Sequence, residues 1–179
     1  MEEFAEVMVN HTMRTVRYTG ELNDIEVVRL IETIDELIGE EPRDPVYLYL
    51  YSYGGSYDAT VALYDFIKSE DTEIITVAMG TSMSGASLIV ACGDRRFAYP
   101  NTRFMIHGIQ ASISFGSHID GRVEMKEQER INDKFIELLS KETGQSKDKV
   151  KDDVKRDLYL TAQEALDYGL IDDIIEKEK

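Results

Sequence analysis

One cysteine, Cys92, stands in 179 residues, so the chain cannot close an intramolecular disulfide, and a reducing compartment, the cytoplasm, is the expectation. Its position at the end of the apolar run Leu88 to Cys92 reads as a packed core thiol rather than a reactive one. Basic residues are also scarce. Against 35 Asp and Glu there are 20 Lys and Arg, a net charge of −15. Such a chain lacks the cationic surface that nucleic acids and anionic membranes select, and solubility is the plainer use of its acidity. No segment approaches the roughly 20 apolar residues that a membrane helix requires. Met1-Glu2-Glu3-Phe4 has neither the basic nor the apolar region of a secretory signal. Repeats, low-complexity tracts and long linkers are missing. None of His11, His107 and His118 has partners at metal-ligand spacing, which argues against zinc. A GxxxxGK[ST] phosphate loop is absent as well.

What is present alternates. The length suits one domain, residues 1–179, with a substantial core. Strand-like and helix-like runs follow one another throughout, which predicts an α/β fold. Thr12 to Tyr18 reads as a first strand. Asn23 and Glu26 form a capping-box-like start to a helix carrying Val27, Ile31, Ile34 and Ile38 and stopping before Gly39. Pro42 and Pro45 mark the loop to the strand Val46 to Tyr51, apolar enough to be buried on both faces. A helix over Tyr57 to Lys68, a strand over Glu73 to Met79, an apolar helix behind Ser84 and a strand ending at His107 come next. A long helix spans Arg122 to Thr143, and a capping box, Thr161 to Glu164, opens a helix that ends at Gly169.

Ser84 falls where an apolar strand turns through small residues into a helix. A serine so placed has an exposed hydroxyl, and the helix behind it supplies free N–H groups for a developing oxyanion. It becomes a nucleophile only if a base takes its proton and a third group orients that base. His107, at a strand end, is the candidate base, and Asp152, Asp153 and Asp157 are all candidate partners for it. Ser82 and Ser87 compete with Ser84 on composition, but Ser87 lies within the helix, where a hydroxyl bonds its own backbone. The Gly54-Gly55 pair allows close backbone approach to a substrate carbonyl, and on its own is also an ordinary turn.

Four pieces occur in order: Tyr53-Gly54-Gly55-Ser56 after a strand, Ser84 within Met79 to Val90, His107 closing Arg96 to Ile106, and Arg156-Asp157. In this order they resemble the proteolytic subunit of the Clp protease, a serine peptidase of the crotonase-like superfamily. The likeness covers roughly residues 12 to 175, with Leu63-Tyr64-Asp65 and Ala165 to Asp172 as further matches. It implies Ser84 as nucleophile, His107 as base and Asp157 as the third triad member, with the N–H groups of Gly54 and Gly85 forming the oxyanion hole. It also implies substrate contacts at Gly55, Ser56 and Ile109, a ring-contact arginine at Arg156, and ATPase docking at Tyr47 and Tyr49. A ββα superhelix would carry a strand-turn-helix handle over 108–143. The implied assembly is a homo-oligomer of two stacked heptameric rings that cleaves protein and peptide substrates, without a cofactor, beside a AAA+ ATPase. Tyr53 replaces a proline of the family, Gly85 a methionine, Gly108-Ile109 a Gln-Pro pair and Met83 a small residue, and the N-terminal arm is short. Alternatives from this reading are a phage prohead protease of the same type, an inactive structural ring subunit, and a crotonase acting on an acyl-thioester.

Overall fold

The computed structural model describes residues 5–109 and 118–176. The N-terminal arm is a strand: β1 (Glu6–Asn10) pairs antiparallel with β2 (Thr15–Thr19). The first expected strand therefore begins three residues late, at Thr15 rather than Thr12. Residues 11–14 are a turn instead, in which Asn10 Oδ1 accepts the Met13 N–H at 2.9 Å and Arg14 takes φ 49°. The Arg14 guanidinium anchors that turn by donating to the carbonyls of Leu37, Asp44 and Pro45. Helix α1 (Asp24–Glu40) starts as the sequence suggests, with Asn23 Oδ1 accepting the Glu26 N–H at 3.0 Å. The Glu26 carboxylate turns to Arg29. The helix also runs through Gly39, whose exposed position has nothing within 4 Å of where a Cβ would stand. Val27, Leu30, Ile34 and Leu37 form its buried stripe.

The remaining elements are β3 (Val46–Ser52), α2 (Tyr57–Ser69), β4 (Ile74–Met83), α3 (Gly85–Ala91), β5 (Arg95–Ala98), β6 (Arg103–Ile106), α4 (His118–Thr143), α5 (Lys147–Asp153), β7 (Leu158–Thr161), α6 (Ala162–Tyr168) and β8 (Asp173–Ile174). Strands lie in the order β1-β2-β3-β4-β5-β8, parallel from β2 onward, as helical crossovers dictate. The class is a mixed α/β fold. β3 is not buried on both faces: Val46, Leu48 and Leu50 are fully buried, whereas Tyr47 and Tyr49 are half-buried and Tyr51 is exposed. The alternation is hidden in the sequence because the outward set consists of tyrosines, whose rings read as apolar while their hydroxyls tolerate water.

β4 forks. Its first half, Ile75 to Ala78, pairs with β5, and its last residues, Thr81 to Met83, pair with β6. The fork lies at Gly80, φ 61°, where the β3 register jumps from Leu50↔Ala78 to Ser52↔Ser82 and the Tyr51 ring packs on the glycine. The bulge carries the chain away from β5 toward β6, and so sets the direction in which the backbone leaves Met83. β6 in turn pairs antiparallel with β7. Behind them α4 buries Phe135, Ile136, Leu138 and Leu139, each worth about 1.5–3 kcal/mol of apolar burial. α6 carries the full capping box of Thr161 and Glu164 and ends on Gly169 at φ 92°. Residues 110–117 of the expected handle lie outside the described residues, and its helical part is α4. Among the described residues no helix is long and apolar enough to cross a membrane.

Candidate active site

Because β4 ends against β6, the residue after Met83 is held by the residue opposite it: the Ser84 N–H donates to the Met105 carbonyl at 2.7 Å. Ser84 is then forced into φ 53°, ψ −125° before α3 begins at Gly85. A non-glycine residue in that region carries about 1–3 kcal/mol of strain, kept only where surrounding structure imposes it. Ser87 supplies part of the imposition, its hydroxyl donating to the carbonyls of Ser82 and Met105 at 2.8 and 3.0 Å. Ser87 is thus a staple, and Ser82, fully buried, is core.

His107 is the first residue beyond β6. Its Nε2 lies 2.8 Å from Ser84 Oγ, a hydrogen bond between nucleophile and base candidates. The segment that carries it is pinned on both sides, since Gly108 N–H donates to the Val154 carbonyl at 2.8 Å and Ile109 N–H to Asn132 Oδ1 at 2.9 Å. Asn132, on α4, escaped sequence reasoning, because an asparagine in a polar helix carries no signal of its own. A side chain at Gly108 would stand 3.0 Å from Asn132 Oδ1 and 3.3 Å from the Val154 carbonyl, so the glycine there has a packing reason.

The other imidazole nitrogen, Nδ1, is buried with no hydrogen-bond partner. The nearest carboxylate is that of Asp157, its Oδ1 3.9 Å away and its side chain 44% exposed. That is ion-pair range and beyond a hydrogen bond. Asp152 and Asp153 are engaged elsewhere, the first with Lys155 and the second with Lys149 and the Tyr168 hydroxyl. Burial, with the Asp153 hydrogen bond and charge, pushes the Tyr168 phenol up, so it remains a donor to Asp153.

The glycine loop lies against the nucleophile. A Cβ on Gly54, φ 94°, would sit 2.8 Å from Ser84 Cβ and 3.1 Å from the Gly85 nitrogen. The Gly54 N–H, expected as an oxyanion donor, instead donates to Ser52 Oγ at 3.0 Å within its own loop. Gly55 is pressed on the Leu22 backbone, and its N–H makes no hydrogen bond among the described residues. Gly85 begins α3, so its N–H has no intrahelical acceptor. Ser56 caps α2, accepting the Ala59 N–H, and Ile109 packs part-buried on the core.

Farther out, Arg156 is exposed and makes no ion pair among the described residues. Tyr47 and Tyr49 stand on the open face of β3, with the Arg17 guanidinium 5.1 Å from the Tyr49 ring centroid. His11 is surface, bonded to Glu40 at 2.9 Å, and Cys92 is fully buried.

A serine hydroxyl bonded to a histidine at a strained strand-to-helix turn, with a glycine loop and a helix N-terminus beside it, is the arrangement of a serine hydrolase. The sequence profile of the Clp protease family matches residues 3–178. One relative, the ATP-dependent Clp protease proteolytic subunit 3 of Parasynechococcus marenigrum (strain WH8102), is 34% identical over 178 residues, which cover 98% of this chain and 89% of that one. The chain belongs to the Clp protease family, a family of serine-type peptidases.

Proposed function

We propose that the chain is the proteolytic subunit of an ATP-dependent Clp protease, hydrolysing peptide bonds of unfolded proteins with Ser84, His107 and Asp157. The observation that carries this reading is the 2.8 Å contact between Ser84 Oγ and His107 Nε2. In the reaction, His107 takes the hydroxyl proton as Ser84 attacks the scissile carbonyl. It then returns that proton to the leaving amine, and water, activated by the same base, releases the acyl group. Asp157 closes on Nδ1–H, fixing the tautomer and supporting the imidazolium. The carbonyl oxygen is received by the free N–H groups of Gly55 and Gly85. Gly54, its own N–H bonded to Ser52, serves as the side-chain-free spacer between them. Ser56 and Ile109 border the bound peptide.

The whole chain acts as one peptidase domain of the crotonase-like ββα type, assembled as stacked heptameric rings whose handles, α4 included, meet across the equator. Arg156, exposed beside Asp157, pairs across rings and draws that aspartate toward His107. The departures around the site support retained catalysis over an inactive structural role. Gly85 and Gly108 each face a neighbour, Thr60 and Asn132, that fills the vacated space, as a maintained site requires. A AAA+ ATPase docks on the Tyr47 and Tyr49 face and feeds unfolded chain inward. The test is cleavage of a short fluorogenic peptide and of a folded reporter by the purified protein. Peptide cleavage unaided, with the folded reporter intact until a AAA+ partner and ATP are added, is expected. Rapid degradation of the folded reporter by this chain alone would favour a self-sufficient protease.

A further inference from the structure

We propose that Thr60 is a positioning residue for the oxyanion-binding turn, setting the place of the Gly85 N–H through its contact with the Gly85 α-carbon. This rests on the reading of Ser84 as nucleophile. Thr60 belongs to the first turn of α2 and is 1% exposed. Its hydroxyl donates to the Ser56 carbonyl at 2.8 Å, and its own N–H reaches the same carbonyl at 3.0 Å. The side chain is therefore tied to the end of the glycine loop.

Its other side faces the residue after the nucleophile. A Cβ built on Gly85 would overlap Thr60 Oγ1 and stand 3.1 Å from Cγ2 and 3.2 Å from Cβ, so the threonine occupies the space a side chain there would need. From the opposite direction Gly54 closes on Ser84 and on the Gly85 nitrogen. Gly85 thus lies between the glycine loop and Thr60. Both segments that would hold the oxyanion, 54–56 and 84–85, touch this one buried side chain or its hydrogen-bond partner. Electrostatic stabilisation of an oxyanion depends on donors fixed before the charge forms, and a misplacement of about 1 Å costs on the order of 100-fold in rate. Thr60 and Gly85 are accordingly one packing solution: enlarging either without shrinking the other moves the donor.

The test compares the full-length wild type with Gly85→Ala, Thr60→Gly/Gly85→Ala, Thr60→Ala and Thr60→Ser, measuring kcat and KM on a short fluorogenic peptide and the thermal midpoint of each. Gly85→Ala is expected to lose on the order of 100-fold in kcat with KM within about twofold, because the donor acts on the transition state and not on bound peptide. Thr60→Gly in that background should recover at least about tenfold. Thr60→Ala alone should lower kcat about tenfold, and Thr60→Ser, which keeps the bond to Ser56, should recover most of that loss. Should Gly85→Ala fail to fold, the Thr60→Ala and Thr60→Ser pair decides. The proposal is overturned if Thr60→Ala keeps wild-type kcat. It is equally overturned if the double variant melts like the wild type yet is no faster than Gly85→Ala, or if KM moves in place of kcat. A wild type that cleaves no peptide and takes no fluorophosphonate at Ser84 would sink the nucleophile reading itself, and this proposal with it.

Discussion

The two arms that meet at His107 are held in different ways. Ser84 and His107 are carried by β4 and β6, paired in register at Met83↔Met105, with Phe104 and Ile106 buried between them and the core. Asp157 sits on an exposed strip between α5 and β7, its carboxylate 3.9 Å from a buried, unpartnered Nδ1. Burial of the flanking residues sets the first contact within one chain. The second needs a movement of about 1 Å to become a hydrogen bond, and an unsatisfied buried nitrogen, costing about 1–3 kcal/mol, favours that movement. The difference teaches that the Ser84–His107 contact is built by folding, whereas completion of the proposed triad is left to whatever orders the Asp157 segment.

That contrast can be broken most severely at Ser84, the proposed nucleophile. Ser84→Ala should abolish acyl-enzyme formation and lower kcat by about 10⁶-fold while leaving the thermal midpoint unchanged or raised, since it removes a hydroxyl and not the backbone turn. Asp157→Ala should cost roughly 100-fold less than that, because a positioning carboxylate is less costly to lose than the groups that exchange the proton. An equal loss in single-turnover assays would erase the distinction between the arms. Next comes Arg156→Ala, expected to weaken ring-ring association and peptidase activity together. Sedimentation alongside a peptide assay reads both, and full activity from isolated single rings would show that Asp157 needs no help from a neighbour.

The smallest effect lies away from the site, at Arg96 and Asp172. Burial acts to raise the Asp172 carboxyl, but the hydrogen bonds and charge of Arg96 outweigh it and hold it below its ordinary value. A carboxylate lowered on folding contributes stability at neutral pH, above its unfolded pKa, and loses it as pH falls through the folded one. With Asp172 42% exposed, the pair is worth at most about 1 kcal/mol. Asp172→Asn should lower the melting temperature by about 1–4 °C at pH 7, and the gap from wild type should close as pH falls through the lowered folded-state pKa of Asp172. Peptidase activity at neutral pH should not change with it.

Much of this contrast was legible in the residues. The Asn23 and Thr161 caps, the Gly169 stop and the strand leading to His107 come from local rules, and the structure has each of them. The Ser84 turn is readable because small residues separate two apolar runs. Other features depend on long-range contacts. Nothing local separates Gly54 from Gly55 as an N–H donor, since the choice turns on Ser52 Oγ two residues earlier. The continuation of α1 through Gly39 reflects packing of Leu37 and Ile38 just before it, which outweighs the low helix propensity of glycine. The β4 fork at Gly80 is set by the Tyr51 ring from another strand. Asn132 and Thr60 matter only for what the fold brings beside them.

The most direct measurement is covalent labelling of the assembled protein with a serine-directed fluorophosphonate, with the modified residue mapped by mass spectrometry. A single adduct on Ser84, lost in His107→Ala, is the expected result, because the reagent reports a hydroxyl whose proton the imidazole 2.8 Å away can take. No adduct on Ser84 in the assembled wild type, or an undiminished one in His107→Ala, would contradict it.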